Sequence, residues 1–191
     1  MPRMHATYQI LIQHTHNYAW LEMDAIQAIL GRRSIRKFTG ETIPEKDIKL
    51  FLEAAMAAPS ACNQQPWHYI IARKKETFSK IMEAQAYTKM LEKASIAVIV
   101  CADPALQTCP GFWAQDCSAA TENLLLAVHA LGYGATWCGL YPSDDVVWKI
   151  RGIFDMPKEV YPLCVVAVGV PDEEKPPANR YKQDRVHEEK W

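Results

Sequence analysis

The chain has 191 residues, 49% of them hydrophobic and 23% charged, which suits one domain of ordinary size and leaves no room for two full catalytic units. Twenty-one basic and 22 acidic side chains give a net charge of −1, so no overall positive field gathers a polyanion, and nucleic acid is excluded as a first expectation. The longest apolar runs, Ile96 to Cys101 and Leu163 to Val170, are far shorter than the roughly 20 residues of a membrane-spanning helix, so no membrane partner is expected.

Residues 1–23 read as an N-terminal leader, with a basic start but no continuous apolar core or small-residue cleavage site of a secretion signal. The domain is expected over 24–191. Asp24 to Leu30 predicts a short helix with Asp24 at its start and Gly31 at its end. Glu41 to Ala58 carries Pro44, then Ile48, Phe51, Leu52 and Ala55 at helical spacing, and Pro59 ends the pattern. Trp67 to Ala72 and Ile96 to Cys101 are strand-like runs separated by a helical stretch around Phe78, Ile81 and Met82. From Phe112 to Leu131, Trp113, Cys117, Ala120, Leu124 and Val128 recur every three or four residues, the pattern of a long helix that Gly132 and Gly134 terminate. Thr136 to Leu140 predicts a strand, Ser143 with Asp144 and Asp145 caps a helix over Val146 to Ile150, and Leu163 to Val170 is the last strand. From about residue 171 the prolines and charges of Pro171 to Pro177 begin an exposed, irregular arm that runs to Trp191. Taken alone, this alternation predicts a parallel α/β sheet.

The six cysteines, Cys62, Cys101, Cys109, Cys117, Cys138 and Cys164, lack the paired spacing of zinc sites or redox dithiols, so they are expected as reduced, mostly buried thiols in a cytoplasmic protein. His68, His129 and His187 have no metal-like partner spacing and suit core or surface roles. Cys62 as a nucleophile finds no nearby histidine in the sequence. No metal site is expected.

Two segments concentrate polar chemistry. Arg32-Arg33-Ser34-Ile35-Arg36-Lys37-Phe38 sets four cations around one hydroxyl, a donor set matched to phosphate oxygens. The competing reading is a solvated basic turn balanced by Glu41 and Glu45. Ala58-Pro59-Ser60-Ala61-Cys62-Asn63-Gln64-Gln65-Pro66-Trp67 places amides and a hydroxyl between a helix and a strand, where Asn63 and Gln65 can read the edge of a heteroaromatic ring. An ordinary turn would use the same residue types. The G-x-G-x-x-G loop of dinucleotide folds and the Walker loop are both missing: Gly132, Gly134 and Gly139 lead out of a helix and into a strand.

Together with Ala135-Thr136-Trp137-Cys138-Gly139-Leu140-Tyr141-Pro142 and the late Arg180, Arg185, Val186, His187 and Trp191, these segments resemble the nitroreductase family of flavoproteins, in a short branch, over Asp24 to Trp191. The resemblance implies an α+β fold with a central mixed β-sheet flanked by helices, built as an intertwined homodimer with two FMN molecules at the subunit interface. It assigns Arg32, Arg33, Ser34 and Arg36 to the phosphate, ribityl chain and pyrimidine side of FMN. Pro59, Ser60, Ala61, Asn63 and Gln65 form the second segment, supplied by the other subunit, and Thr136, Trp137, Cys138, Gly139 and Leu140 pack beside the ring. Arg180 closes on the phosphate, with Arg185 as the competing candidate. Only Thr88 to Trp113 could cover the flavin, and Tyr87, Met90, Phe112 and Trp113 could line its open face, although such apolar residues more often belong to a core.

The function this resemblance implies is an FMN-dependent oxidoreductase. NADH or NADPH delivers hydride to flavin N5 in one half-reaction, and an electron-poor acceptor such as a nitroaromatic, a quinone or an activated alkene is reduced in the other. The flavin carries the chemistry, so no side chain is expected to be catalytic. The alternative is a non-catalytic protein that stores, delivers or senses FMN with the same binding residues.

Overall fold

Trp67–Ala72 (β1), Ile96–Ala102 (β2), Gly134–Gly139 (β3) and Tyr161–Gly169 (β4) form one sheet in the order β1-β2-β4-β3 in the computed structural model, which describes residues 23–191. The proposed leader, apart from Met23, lies outside the described residues. Helices Ala25–Gly31 (α1), Glu45–Met56 (α2), Lys75–Ala84 (α3), Trp113–Ala130 (α4) and Asp144–Ile153 (α5) flank the sheet, and Ala86–Lys93 is a 3₁₀ run. The fold is therefore α+β. None of these helices is long and apolar enough to cross a membrane.

Every neighbouring strand pair is antiparallel, which corrects two expectations. The parallel sheet suggested by alternation does not form, and the mixed sheet is antiparallel in all four strands. Its only parallel contact among the described residues is an isolated bridge between Ser34 and Ala135. The reason lies between β1 and β2, where α3 leads away from the sheet and the 3₁₀ run packed beside it leads back. This out-and-back path starts β2 beside the end of β1, with Ala72 opposite Ala97, whereas a single helical crossover would deliver the chain to the far end.

Alternate residues of β2 and β4 point to opposite faces, and both faces are covered. Val98, Val100, Val166 and Val168 pack with Phe51 of α2 and with Leu124 and Val128 of α4. Ala97, Ile99, Val165 and Ala167 pack with Phe78, Ile81, Leu91 and Ile150 on the other face. The two central strands are buried along almost their whole length for this reason.

Local signals explain the helix ends. Asp24 accepts from Gln27 N at 2.8 Å while Gln27 Oε1 accepts from Asp24 N at 3.2 Å, a reciprocal cap. Gly132, with φ of +80°, supplies the left-handed turn that ends α4. Asp47, buried on α2, accepts the Tyr133 hydroxyl at 2.7 Å. Burial, then this bond, pushes the Tyr133 hydroxyl up to about 12.

The arm begins against the domain, where Phe38 bridges Pro171 and Asp172 N donates to Lys37 O at 2.9 Å. From Pro176 to Trp191 every residue is exposed. Tyr181, Val186 and Trp191 show large apolar groups to solvent, as do Ile26, Ile29 and Leu30 of α1.

Candidate functional site

The segment after α1 runs alongside the free edge of β3. Ile35 N donates to Ala135 O at 2.9 Å, and the approach is so close that a Cβ on Gly134 would lie 2.7 Å from Ile35 Cγ2. Glycine at 134 is thus a packing requirement. Side chains along this extended segment alternate in direction. Arg33 and Ile35 line a cavity of about 320 Å³ with His129, Tyr133 and Lys175; Arg32, Ser34 and Arg36 do not. Burial, followed by the charges of Arg32 and Arg33, holds the His129 imidazole below its usual pKa.

Arg32 Nε donates to Glu122 Oε1 of α4 at 3.0 Å. The Arg33 guanidinium faces carbonyls: Nη1 donates to Leu30 O and Arg32 O, and Nε donates to Pro176 O at 3.0 Å, which ties the end of α1 to the arm. Its Nη2 is buried without a partner among the described residues. Glu173 accepts from Arg36 N at 2.6 Å and Lys37 N at 3.2 Å, and Lys175 Nζ lies 3.4 Å from Glu173 while donating to Ser34 O at 2.7 Å. The backbone bond from Arg36 leads the effects that hold the Glu173 carboxyl below its ordinary range. Among the described residues, the Ser34 hydroxyl and the Arg36 guanidinium have no hydrogen-bonding partner.

The second segment is a tight loop leading into β1. Cys62, Asn63 and Gln65 have φ of 50°, 53° and 47°, conformations that non-glycine residues adopt only when their surroundings hold them. Gln65 N donates to Ser60 Oγ and Gln65 Nε2 to Asn63 Oδ1, each at 3.0 Å, so the Asn63 and Gln65 side chains bond each other and the Ser60 side chain holds the loop backbone. Ala61 N donates to Asp116 Oδ1 at 2.9 Å. The buried Gln64 donates to Asp116 Oδ2 at 2.5 Å while its Oε1 accepts from Thr108 N and Cys109 N.

Cys62 is disulfide-bonded to Cys109, with Cα atoms 6.2 Å apart. This corrects the expectation of six reduced thiols. The two residues are 47 positions apart in sequence, and their loops are drawn together by Gln64, which accepts from Thr108 N and Cys109 N, and by the bond from Asp103 N to Pro66 O. Cys101, Cys117, Cys138 and Cys164 are free and buried, as their apolar settings predicted.

The third segment is β3 and its exit. Cys138 and Leu140 are buried in the core, and burial pushes the Cys138 thiol up to about 11 against the opposing charge of Arg36. Cys138 Sγ donates to Tyr87 O at 3.2 Å and Gln85 Nε2 donates to Gly139 O at 2.6 Å. Thr136 Oγ1 is buried without a partner among the described residues. A Cβ added at Gly139 meets nothing within 4 Å in this chain.

The structure thus joins the first segment, the third segment and the start of the arm at the β3 edge. The second segment leads into β1, the other edge of the sheet. Both are tied to α4, through Glu122 and Asp116, six residues or about 9 Å apart along the helix axis. Arg180 and Arg185 stand on the exposed arm. Within the stretch Thr88 to Trp113, Thr88, Leu91 and the central strand β2 are buried, whereas Lys89, Glu92 and Lys93 are exposed and Met90 is half-buried. Tyr87 and Phe112 are exposed, whereas the Trp113 ring packs against Tyr141 and Tyr161.

Sequence reasoning missed Gln64, Asp116 and Glu173. Asp116 left a trace, a carboxylate among Trp113, Cys117 and Ala120 on an otherwise apolar helix face. Glu173 left none, because acidic arm residues read as solvated charge.

The family model of the nitroreductase family matches residues 29–108 and 110–170. The chain belongs to the nitroreductase family. A relative from Methanothermobacter thermautotrophicus, provisionally named NADH dehydrogenase/NAD(P)H nitroreductase, is 46% identical over 170 residues, 89% of each chain. A crystal structure of a provisionally named NADH oxidase from Clostridium acetobutylicum superposes with a TM-score of 0.83 at 36% identity, covering 86% of this chain and 99% of that one. The FMN-dependent nitroreductase of Clostridium difficile superposes with a TM-score of 0.80 at 25% identity, covering 87% and 99%. The family model spans all three segments of this nitroreductase-family chain and stops where the arm begins.

Proposed function

We propose that this chain is an FMN-dependent, NAD(P)H-using oxidoreductase that works as a homodimer. The observation that carries this reading is the Ser34 hydroxyl and Arg36 guanidinium, free of partners among the described residues on a segment fastened to the β3 edge. Their chemistry fits the group: a hydroxyl and cations suit the phosphate and ribityl oxygens, and a guanidinium suits the electron-rich pyrimidine side of an isoalloxazine. Named relatives add support, since a solved neighbour is FMN-dependent and another relative carries an NAD(P)H nitroreductase name.

When bound, FMN would supply the two-electron chemistry for reduction of a nitroaromatic, a quinone or an activated alkene by a nicotinamide. The protein's part is to bind, orient and set charge. Arg32 and Ser34 grip the phosphate and ribityl chain, and Arg36 stabilises negative charge on the pyrimidine side. Arg33 contributes by holding this segment to the arm. Thr136 to Leu140 border the ring, where the open space at Gly139 admits a close approach to the backbone. Pro59 to Gln65 serve the site of the second copy. The exposed arm, with Arg180 for the phosphate, and the apolar face of α1 supply contacts that a single chain leaves unused.

Reconstitution with FMN, followed by anaerobic addition of each nicotinamide and then of menadione, tests the reading. A yellow dimer that bleaches with NADH or NADPH and regains colour with the quinone is expected. A colourless monomer that oxidises neither nicotinamide refutes it, and a yellow protein that never bleaches indicates FMN storage instead.

A further inference from the structure

Between the first segment and the 3₁₀ run lies a second hollow, of about 210 Å³, with Arg36, Lys37, Lys89 and Lys93 around it and Phe38 and Met90 within its lining. Phe38 is 1% exposed. Along the 3₁₀ run, Thr88 and Leu91 are turned into the core, and this burial turns Lys89 and Lys93 outward to the hollow. Only Glu92 and Asp172 oppose these four cations in the lining. Among the described residues none of the four forms an ion pair, while Lys175, Arg73 and Lys149 each find a carboxylate. In a chain of net charge −1, four unpaired cations around one small hollow repel one another. An anion relieves that repulsion.

We infer that this hollow binds a phosphate group of the nicotinamide dinucleotide, an assignment that rests on the oxidoreductase reading above. Arg36 belongs both to the hollow and to the proposed flavin segment. The 3₁₀ run also starts where Gln85 and Tyr87 contact Gly139 and Cys138, so Lys89 and Lys93 extend from the part of β3 that borders the ring. Compact lysine ammonium groups suit a phosphate, and the half-buried Met90 offers an apolar surface for the adjoining ribose. The phosphate is either the 2′-monoester of NADPH or the diphosphate that NADH and NADPH share.

The test is Lys89→Gln/Lys93→Gln in the FMN-loaded protein, with Lys89→Arg/Lys93→Arg as the charge-preserving control. Calorimetric binding of 2′,5′-ADP and of ADP is measured at low and high salt beside the KM for each nicotinamide, with visible absorbance reporting flavin content. The glutamine variant should stay yellow with little change in kcat, while affinity falls about tenfold or more, as expected for losing charge-assisted contacts. That loss should shrink at high salt, and the arginine variant should keep the parental values. Loss confined to NADPH and 2′,5′-ADP assigns the 2′-phosphate; loss shared with NADH and ADP assigns the diphosphate. Unchanged affinity and KM in a yellow, active glutamine variant overturns this inference alone, whereas a parent protein that takes up no FMN overturns the reading beneath it.

Discussion

Asp116→Ala removes the acceptor that holds the Pro59–Gln65 loop in its left-handed turns. Asp116 is 5% exposed, and its two oxygens accept from Ala61 N and Gln64 Nε2. Hydrogen bonds to a charged acceptor contribute about 1.5–3 kcal/mol each, so losing both costs about 3–6 kcal/mol. Relief of the carboxylate's own desolvation pulls the value toward the lower end. Gln64 cannot rotate to compensate, because its Oε1 already faces two backbone donors, Thr108 N and Cys109 N. Asp116→Asn keeps an acceptor for Ala61 N but sets one amide NH₂ against another, so it should cost roughly half as much. Urea unfolding at one fixed protein concentration measures both variants, with a midpoint lowered by about 1–3 M for the alanine, and FMN titration should show weaker binding in the same order. An Asp116→Ala protein within about 0.5 kcal/mol of the parent, with undiminished FMN affinity, would refute the role given to this network.

Gly169→Ala places a Cβ 2.8 Å from the Phe38 ring and should lower the melting temperature by about 2–10 °C. Gly152→Ala, on α5 with nothing within 4 Å, should raise it slightly, and equal effects in calorimetry would contradict the packing argument. NMR titration should find the His129 imidazole below its usual value, since burial, then Arg32 and Arg33, disfavour the cation. Its folded pKa lies below its unfolded one, so its contribution to stability is complete above pH about 6.5 and is lost as pH falls through the folded value. His129→Gln should flatten that acid limb. Thiol titration of protein unfolded without reductant should count the four free cysteines, Cys101, Cys117, Cys138 and Cys164, with Cys62 and Cys109 appearing only after reduction. Six reactive thiols without reductant would remove the cross-link.

The sequence by itself determined the elements whose signals are local. The stripe of Cys117, Ala120, Leu124 and Val128 made α4 legible, the apolar runs Trp67 to Ala72 and Ile96 to Cys101 marked two strands to within one residue, and Asp24 marked the start of α1. The resemblance of the arginine–serine and asparagine–glutamine segments likewise singled out the two loops that the fold then fastened to α4. Strand direction belonged to tertiary structure alone. Whether β2 runs with or against β1 depends on the return of the 3₁₀ run beside α3, and no residue within either strand encodes that path. The same holds for the Cys62–Cys109 link, for Glu173 folding back onto Arg36 and Lys37, and for the cations gathered around Phe38. Each joins residues distant in sequence, and chain closure, not local propensity, decides which of them meet.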